Sequence, residues 1–119
     1  MLTDKEIARL LDIANAGVNR GEIAAARRVY EGVLAVRPEH VGAKLGLALS
    51  HIAVGEYEKA DELLKALLER LPEDPDVLVY LGLSAALSNR KEEASGYLAR
   101  VPAEAEGPRR LADELQASL

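Results

Sequence analysis

Apolar side chains recur three and four residues apart along most of the 119-residue chain, which predicts amphipathic α-helices and no strands. Seven such segments are separated by short stretches that contain Gly, Pro or Asn. Thr3 with Glu6 forms the sequence signature of a capping box, so the first helix is expected to span residues 4–19. Pro108 is expected at the start of a final helix of about 108–118.

The helical pattern repeats every 34 residues. Four sets of equivalent residues carry the repeat: the turn residues Gly21, Gly55 and Asn89; the small residues Ala26, Ala60 and Ala94; the large residues Tyr30, Leu64 and Leu98; and the apolar residues Val33, Leu67 and Val101. A period of this length predicts stacked helix pairs that bury each other's faces. The units are expected at residues 7–40, 41–74 and 75–101, and position 1 of each unit is Ile7, Val41 or Pro75.

This pattern resembles the tetratricopeptide repeat family, whose unit of 34 residues is a helix-turn-helix with a large–small pair in its first helix. The pairs here are Ile13–Ala14, Leu47–Ala48 and Leu81–Gly82. The resemblance implies an all-α, antiparallel helix-pair solenoid in a single domain, 1–119, with about three repeats and a C-terminal capping helix. Lys44, Lys91 and Glu106 depart from the family pattern, and Pro102 is expected to shorten the second helix of the third unit.

Composition excludes several classes of function. Cysteine is absent, so the chain has no disulfide, thiol nucleophile or thiolate zinc site, and its two histidines are too few for a three-histidine metal centre. The net charge of -5 disfavours a nucleic-acid partner. No catalytic constellation or phosphate loop occurs, so we expect no enzyme activity, cofactor or bound metal. We also expect a cytoplasmic protein without membrane insertion, because no leader or long apolar window is evident.

The two histidines and one acidic cluster are expected to be ordinary structural or surface residues. His51 is expected to be a partly buried structural residue and His40 to be solvated. The acidic cluster Glu56, Glu58, Asp61 and Glu62 is expected to form a solvated helix face in which Asp61 pairs with Lys65. The alternative for this cluster is an acidic outer patch that meets a basic partner.

Positions 5, 9, 12 and 13 of each unit point away from the second helix and are expected to line an inner, concave surface. They include Leu11, Asn15, Val18 and Asn19 in the first unit, Leu45, Leu49 and Ile52 in the second, and Val79, Leu83 and Leu87 in the third. Because most are apolar, we predict a groove for a protein or peptide client with an apolar helical segment. The alternative is that the C-terminal segment, a tight superhelix or a second copy of the chain covers this face; the last would make a homodimer.

A narrower functional expectation rests on a second resemblance. The stretch 16–21, the Leu-Gly-Leu-Ala-Leu run at 45–49 and the pI near 5.1 resemble small bacterial type III secretion chaperones. This resemblance implies a cytosolic chaperone that holds an apolar helical segment of one client, such as a type III secretion subunit. The alternative is a generic repeat scaffold or a homo-oligomeric assembly factor.

Overall fold

A computed structural model describes residues 2–119, and this part of the chain forms seven α-helices and no strand. They are α1 (Asp4–Asn19), α2 (Ile23–Val36), α3 (Val41–Ala53), α4 (Tyr57–Arg70), α5 (Pro75–Leu87), α6 (Lys91–Ala99) and α7 (Glu106–Ser118). Consecutive helices pack against each other, and α1, α3, α5 and α7 also pack side by side. The predicted fold class is therefore confirmed: three helix pairs stack into an all-α solenoid, and a seventh helix packs against the third pair.

The capping signals in the sequence predict the start of α1 correctly but not that of α7. The Thr3 hydroxyl accepts a hydrogen bond from the Glu6 amide at 3.2 Å, and the Glu6 carboxylate accepts one from the Thr3 amide at 2.9 Å. This capping box confirms the predicted bounds of α1. By contrast, α7 begins at Glu106 and not at Pro108. A proline fits within the first turn because the amides there have no partner inside the helix.

The three equivalent turn residues share an unusual backbone conformation. Gly21 and Gly55 have φ of +81° and +78°, and Asn89 has φ of +66°. This left-handed region is open to glycine, which has no Cβ, and asparagine tolerates it better than most residues. The predicted turns are confirmed. After the third turn, α6 has only nine residues against fourteen in α2 and α4, as the proline at position 102 predicts.

Large side chains of the second helices fill the core. Tyr30, Leu64 and Leu98 are almost completely buried. A Cβ on Gly82 would overlap Leu98, and one on Gly46 would overlap Tyr30. The first helices therefore approach these side chains closely because glycine stands at the contact.

Two apolar residues expected in the packing are exposed. Ile13 is 58% exposed, although its equivalents Leu47 and Leu81 pack against the core of the preceding unit. In residues 2–119 no unit precedes α1, so the same position has nothing to contact. Leu111 is 41% exposed because α7 packs against the third pair through Ala112 and Leu115.

Two ion pairs join successive units. Between the first and second units, Arg27 Nη2 lies 2.7 Å from Glu56 Oε1. Between the second and third units, Arg90 Nη2 lies 2.8 Å from Asp61 Oδ2. Residues 27 and 61 are equivalent in the repeat, as are residues 56 and 90, so the two pairs have the same geometry with their charges exchanged.

A buried serine supports each ion pair. The Ser50 hydroxyl accepts a hydrogen bond from Arg27 Nε at 3.0 Å, and the Ser84 hydroxyl donates one to Asp61 at 2.8 Å. A hydroxyl serves both pairs because it can donate or accept. The expected solvated pair of Asp61 with Lys65 is wrong: Asp61 is only 9% exposed and turns toward the next unit.

Candidate partner-binding groove

The ten residues predicted for the inner surface fall into three groups. Four are buried: Leu11, Val18, Ile52 and Val79. Four are half-buried: Asn15, Leu45, Leu49 and Leu83. Two are exposed: Asn19 and Leu87.

The four buried side chains occupy the core and the seams between neighbouring first helices. Leu11 Cδ1 would lie 3.1 Å from a Cβ on Gly42, so it already reaches α3. Val79 packs in the cluster that contains Leu98 of α6 and Ala112 of α7. The expected continuous apolar face is therefore interrupted, because Val18, Ile52 and Val79 are buried and only an edge of Leu11 remains accessible.

An open depression of about 300 Å³ lies across the first helices α1, α3 and α5. Its lining, which we call the groove, consists of Ala8, Leu11, Asp12, Asn15, Gly42, Leu45, Gly46, Asp76 and Tyr80. These are positions 2, 5, 6 and 9 of the units. The sequence pattern pointed to positions 5 and 9 but missed positions 2 and 6, which contribute most of the polar lining.

One side of the groove is anchored to the core. The Tyr30 hydroxyl donates a hydrogen bond to Asn15 Oδ1. Burial raises the pKa of Tyr30 to about 12, so this hydroxyl stays protonated as a donor. The ring of Tyr30 packs against Gly46, which is also part of the lining. The α1 and α3 walls are thus held in place by the same buried tyrosine.

Two carboxylates flank the groove, Asp12 on α1 and Asp76 at the start of α5. Within the described part of the chain neither carboxylate forms a salt bridge, and no Lys or Arg belongs to the lining. Burial, followed by the charge of Asp74, raises the pKa of Asp76. Burial and the charge of Asp76 raise the pKa of Tyr80. The groove therefore combines an apolar floor with a negatively charged rim.

A larger depression, of about 950 Å³, lies near the turns of the second and third units. Its lining includes Lys59, Lys65 and Arg90 together with acidic residues such as Glu58 and Glu62. Opposite charges already neighbour one another there, and the lining contains few apolar side chains. It differs from the groove in having charges of both signs and little apolar lining.

Both histidines contact other residues of the chain. His51 is partly buried, as predicted, and its Nδ1 lies 2.9 Å from Glu56 Oε1 and 3.0 Å from Arg27 Nη2. Hydrogen bonds with His51 and Arg27 lower the pKa of Glu56 to about 2. His40 was expected to be solvated, but its Nδ1 accepts a hydrogen bond from the Ala43 amide at 3.2 Å and caps α3. These contacts stabilise helix starts and unit interfaces.

A family model described as tetratricopeptide repeat matches residues 19–87 and 52–119, which together are well over half of the chain. This chain belongs to the tetratricopeptide repeat family. The second match includes α7, which therefore continues the repeat pattern. Tetratricopeptide repeats are generally non-catalytic protein-interaction modules, so protein binding is the class of function that the family assigns to this fold.

This tetratricopeptide repeat chain is also similar to Cellulose synthase operon protein C of Pseudomonas fluorescens (strain SBW25), with 28% identity over 94 residues. The similarity covers 79% of this chain and 7% of the relative, so the chain spans a small fraction of that protein's length. No solved structure matches the chain. Among residues 2–119, every helix is too short or too polar to cross a membrane.

Proposed function

We propose that this tetratricopeptide repeat protein is a binding module whose groove holds an apolar helical segment of a protein partner. The observation that carries the proposal is the open depression across α1, α3 and α5, with Leu11 and Leu45 in its lining. Stacked repeats bury the faces they share, and the outward sides of the first helices are left for other molecules. An amphipathic helix suits such a groove, because its residues at i, i+3, i+4 and i+7 lie on one face.

The apolar surface that remains sets a scale for the affinity. Leu45 and Tyr80 of the lining are half-buried and Leu11 is nearly buried, so a partner gains only part of the roughly 1.5–3 kcal/mol that full burial of such a side chain provides. Three such partial contacts fall short of the roughly 8 kcal/mol needed for micromolar binding. A partner must therefore add polar or charged contacts at the rim of the groove.

Within this proposal the chain acts as a scaffold that brings a protein partner into an assembly. The narrower role of type III secretion chaperone gains no support from the comparisons. The name of the similar protein from Pseudomonas connects that protein with a cellulose synthase operon, so we adopt the scaffold as the function. A cytoplasmic location is part of the same proposal.

Peptide selection provides the test. Helical peptides are selected from a display library on the purified chain, and their affinities are measured by fluorescence anisotropy. Ala8→Trp places a bulky ring at an exposed position in the groove, and Ala66→Trp makes the same change at an exposed position of α4 outside the groove. Neither substitution alters a buried residue.

We expect Ala8→Trp to weaken peptide binding by about tenfold or more, a loss of about 1.4 kcal/mol, and Ala66→Trp to have little effect. Equal affinities for the two variants would contradict the groove as the binding site. A library that yields no peptide sensitive to Ala8→Trp would contradict it as well.

A further inference from the structure

We infer that the groove selects a helical segment carrying a Lys or Arg among its apolar residues. The inference rests on the proposed function and adds the chemistry of the partner. Asp12 and Asp76 belong to the lining of one depression but come from α1 and α5, and Leu45 comes from α3, the helix between them. A segment lying in the groove therefore meets an apolar floor and two carboxylates at once.

Charge complementarity identifies the partner. In residues 2–119 neither Asp12 nor Asp76 has a salt-bridge partner, whereas the acidic residues at both unit interfaces are paired with arginines. The lining itself offers no cation to neutralise them. A guanidinium or ammonium group entering the groove would find unpaired carboxylates, and an anionic segment would be repelled.

A cation in the partner would also offset the desolvation of the two carboxylates when the groove is covered. Burial already raises the pKa of Asp76, and the charge of Asp76 contributes to the raised pKa of Tyr80 beside it. An apolar helix that covers the groove would remove more water from these carboxylates, which costs free energy unless an opposite charge replaces that water. The groove therefore favours a basic helix. It also disfavours a purely apolar helix, because such a helix would desolvate the carboxylates without pairing them.

The glycines of the lining support the same assignment. Gly46 is required by the close approach of Tyr30, and a Cβ on Gly42 would lie 3.1 Å from atoms of Leu11 and His40. Their presence is explained by packing within the chain. The specific features left for a partner are the two carboxylates and the apolar side chains between them.

The experiment uses peptides selected on the wild-type chain, each also synthesised with its Lys or Arg replaced by Gln. Affinities are measured for the wild type, for Asp12→Asn/Asp76→Asn, and for Glu58→Gln/Glu62→Gln. The last variant also removes two negative charges, but from exposed positions of α4 outside the groove. Comparing the two double variants separates a local contact from the effect of net charge.

We expect the wild type and the α4 variant to bind the basic peptide about tenfold more tightly than its Gln version, which corresponds to about 1.4 kcal/mol. In Asp12→Asn/Asp76→Asn the preference should disappear. The preference should also shrink at high salt, because the carboxylates are near the surface.

Four results would overturn the inference. Selected peptides without any enrichment in Lys or Arg, or equal wild-type affinity for the basic and Gln versions, would show that the groove ignores the cation. A preference that persists in Asp12→Asn/Asp76→Asn, or is lost equally in Glu58→Gln/Glu62→Gln, would assign it to net charge. In each case a loss of peptide binding in Ala8→Trp would still support the proposed function. Failure of the cation preference can therefore be distinguished from failure of the groove as the binding site.

Discussion

The protonation state of Glu56 affects the stability of the interface between the first and second units. Hydrogen bonds with His51 and Arg27 lower its pKa from 4.5 to about 2. In this pH range the unfolded chain binds the proton more readily, so the carboxylate stabilises the fold above about pH 4.5 and loses that contribution as pH falls toward about 2. We expect Glu56→Gln to lower the urea midpoint at neutral pH and to flatten its decrease between these two values.

The exposed Glu58, two residues further along, supplies the control for this measurement. Glu58→Gln should reproduce the pH profile of the wild type. Parallel wild-type and Glu56→Gln profiles through the acid range would contradict the contact.

Substitution by alanine should have opposite effects on stability at two glycines inside helices. A Cβ at Gly82 would overlap the buried Leu98, whereas a Cβ at Gly96 of α6 would meet no atom within 4 Å. Gly82→Ala should therefore destabilise the chain through overpacking, which typically costs about 1–3 kcal/mol. Gly96→Ala should stabilise it by roughly 0.5–1 kcal/mol, because alanine favours the helix. Thermal unfolding of both variants checks the sign, and a shared sign would contradict the packing described.

At the scale of the elements, the exchanged ion pairs explain how one unit recognises the next. The first helices α3 and α5 each present a buried serine, and the charged residues on either side differ in sign between the two interfaces. If the third unit stacked directly on the first, Arg27 would lie near Arg90. The pairs thus favour the sequential order of units as well as stabilising it.

Reversal of one pair tests this idea. Asp61→Arg and Arg90→Glu should each cost about 2 kcal/mol, between the values for exposed pairs and for buried pairs, because each leaves like charges beside a buried serine. The double variant Asp61→Arg/Arg90→Glu should recover at least half of the loss, since the first interface already accepts this arrangement. Chemical denaturation of all four chains gives the coupling energy. Strict additivity would show that the pair does not act as a unit.

The repeat period explains which elements were predictable. It located the turns and the buried alanines, because helix periodicity and turn chemistry are local properties of the sequence. It misplaced Leu11 and Val79, since the direction of a side chain on one helix does not say where the neighbouring unit lies. Asp61 was assigned to Lys65 by its spacing, although a comparison of charges 34 residues apart would have suggested a contact between units. The rim carboxylates of the groove were missed because they lie at positions 6 and 2.

In the whole molecule, we propose that the groove is open for a protein partner and is not filled by a second copy of the chain. The distinction matters because exposed apolar surface marks either kind of interface. The apolar lining of the groove alone provides too little burial for tight self-association, so the charges at the rim decide what binds. Two identical copies would bring the same unpaired carboxylates to the interface and repel each other there.

Analytical ultracentrifugation of the chain with a labelled selected peptide distinguishes an open groove from a self-paired one, because one run reports both the mass of the protein and the peptide bound to it. We predict a monomer that carries one peptide, and an Ala8→Trp variant that remains a monomer but sediments without it. A dimer that Ala8→Trp dissociates would contradict the account, since it would show that a second copy occupies the groove.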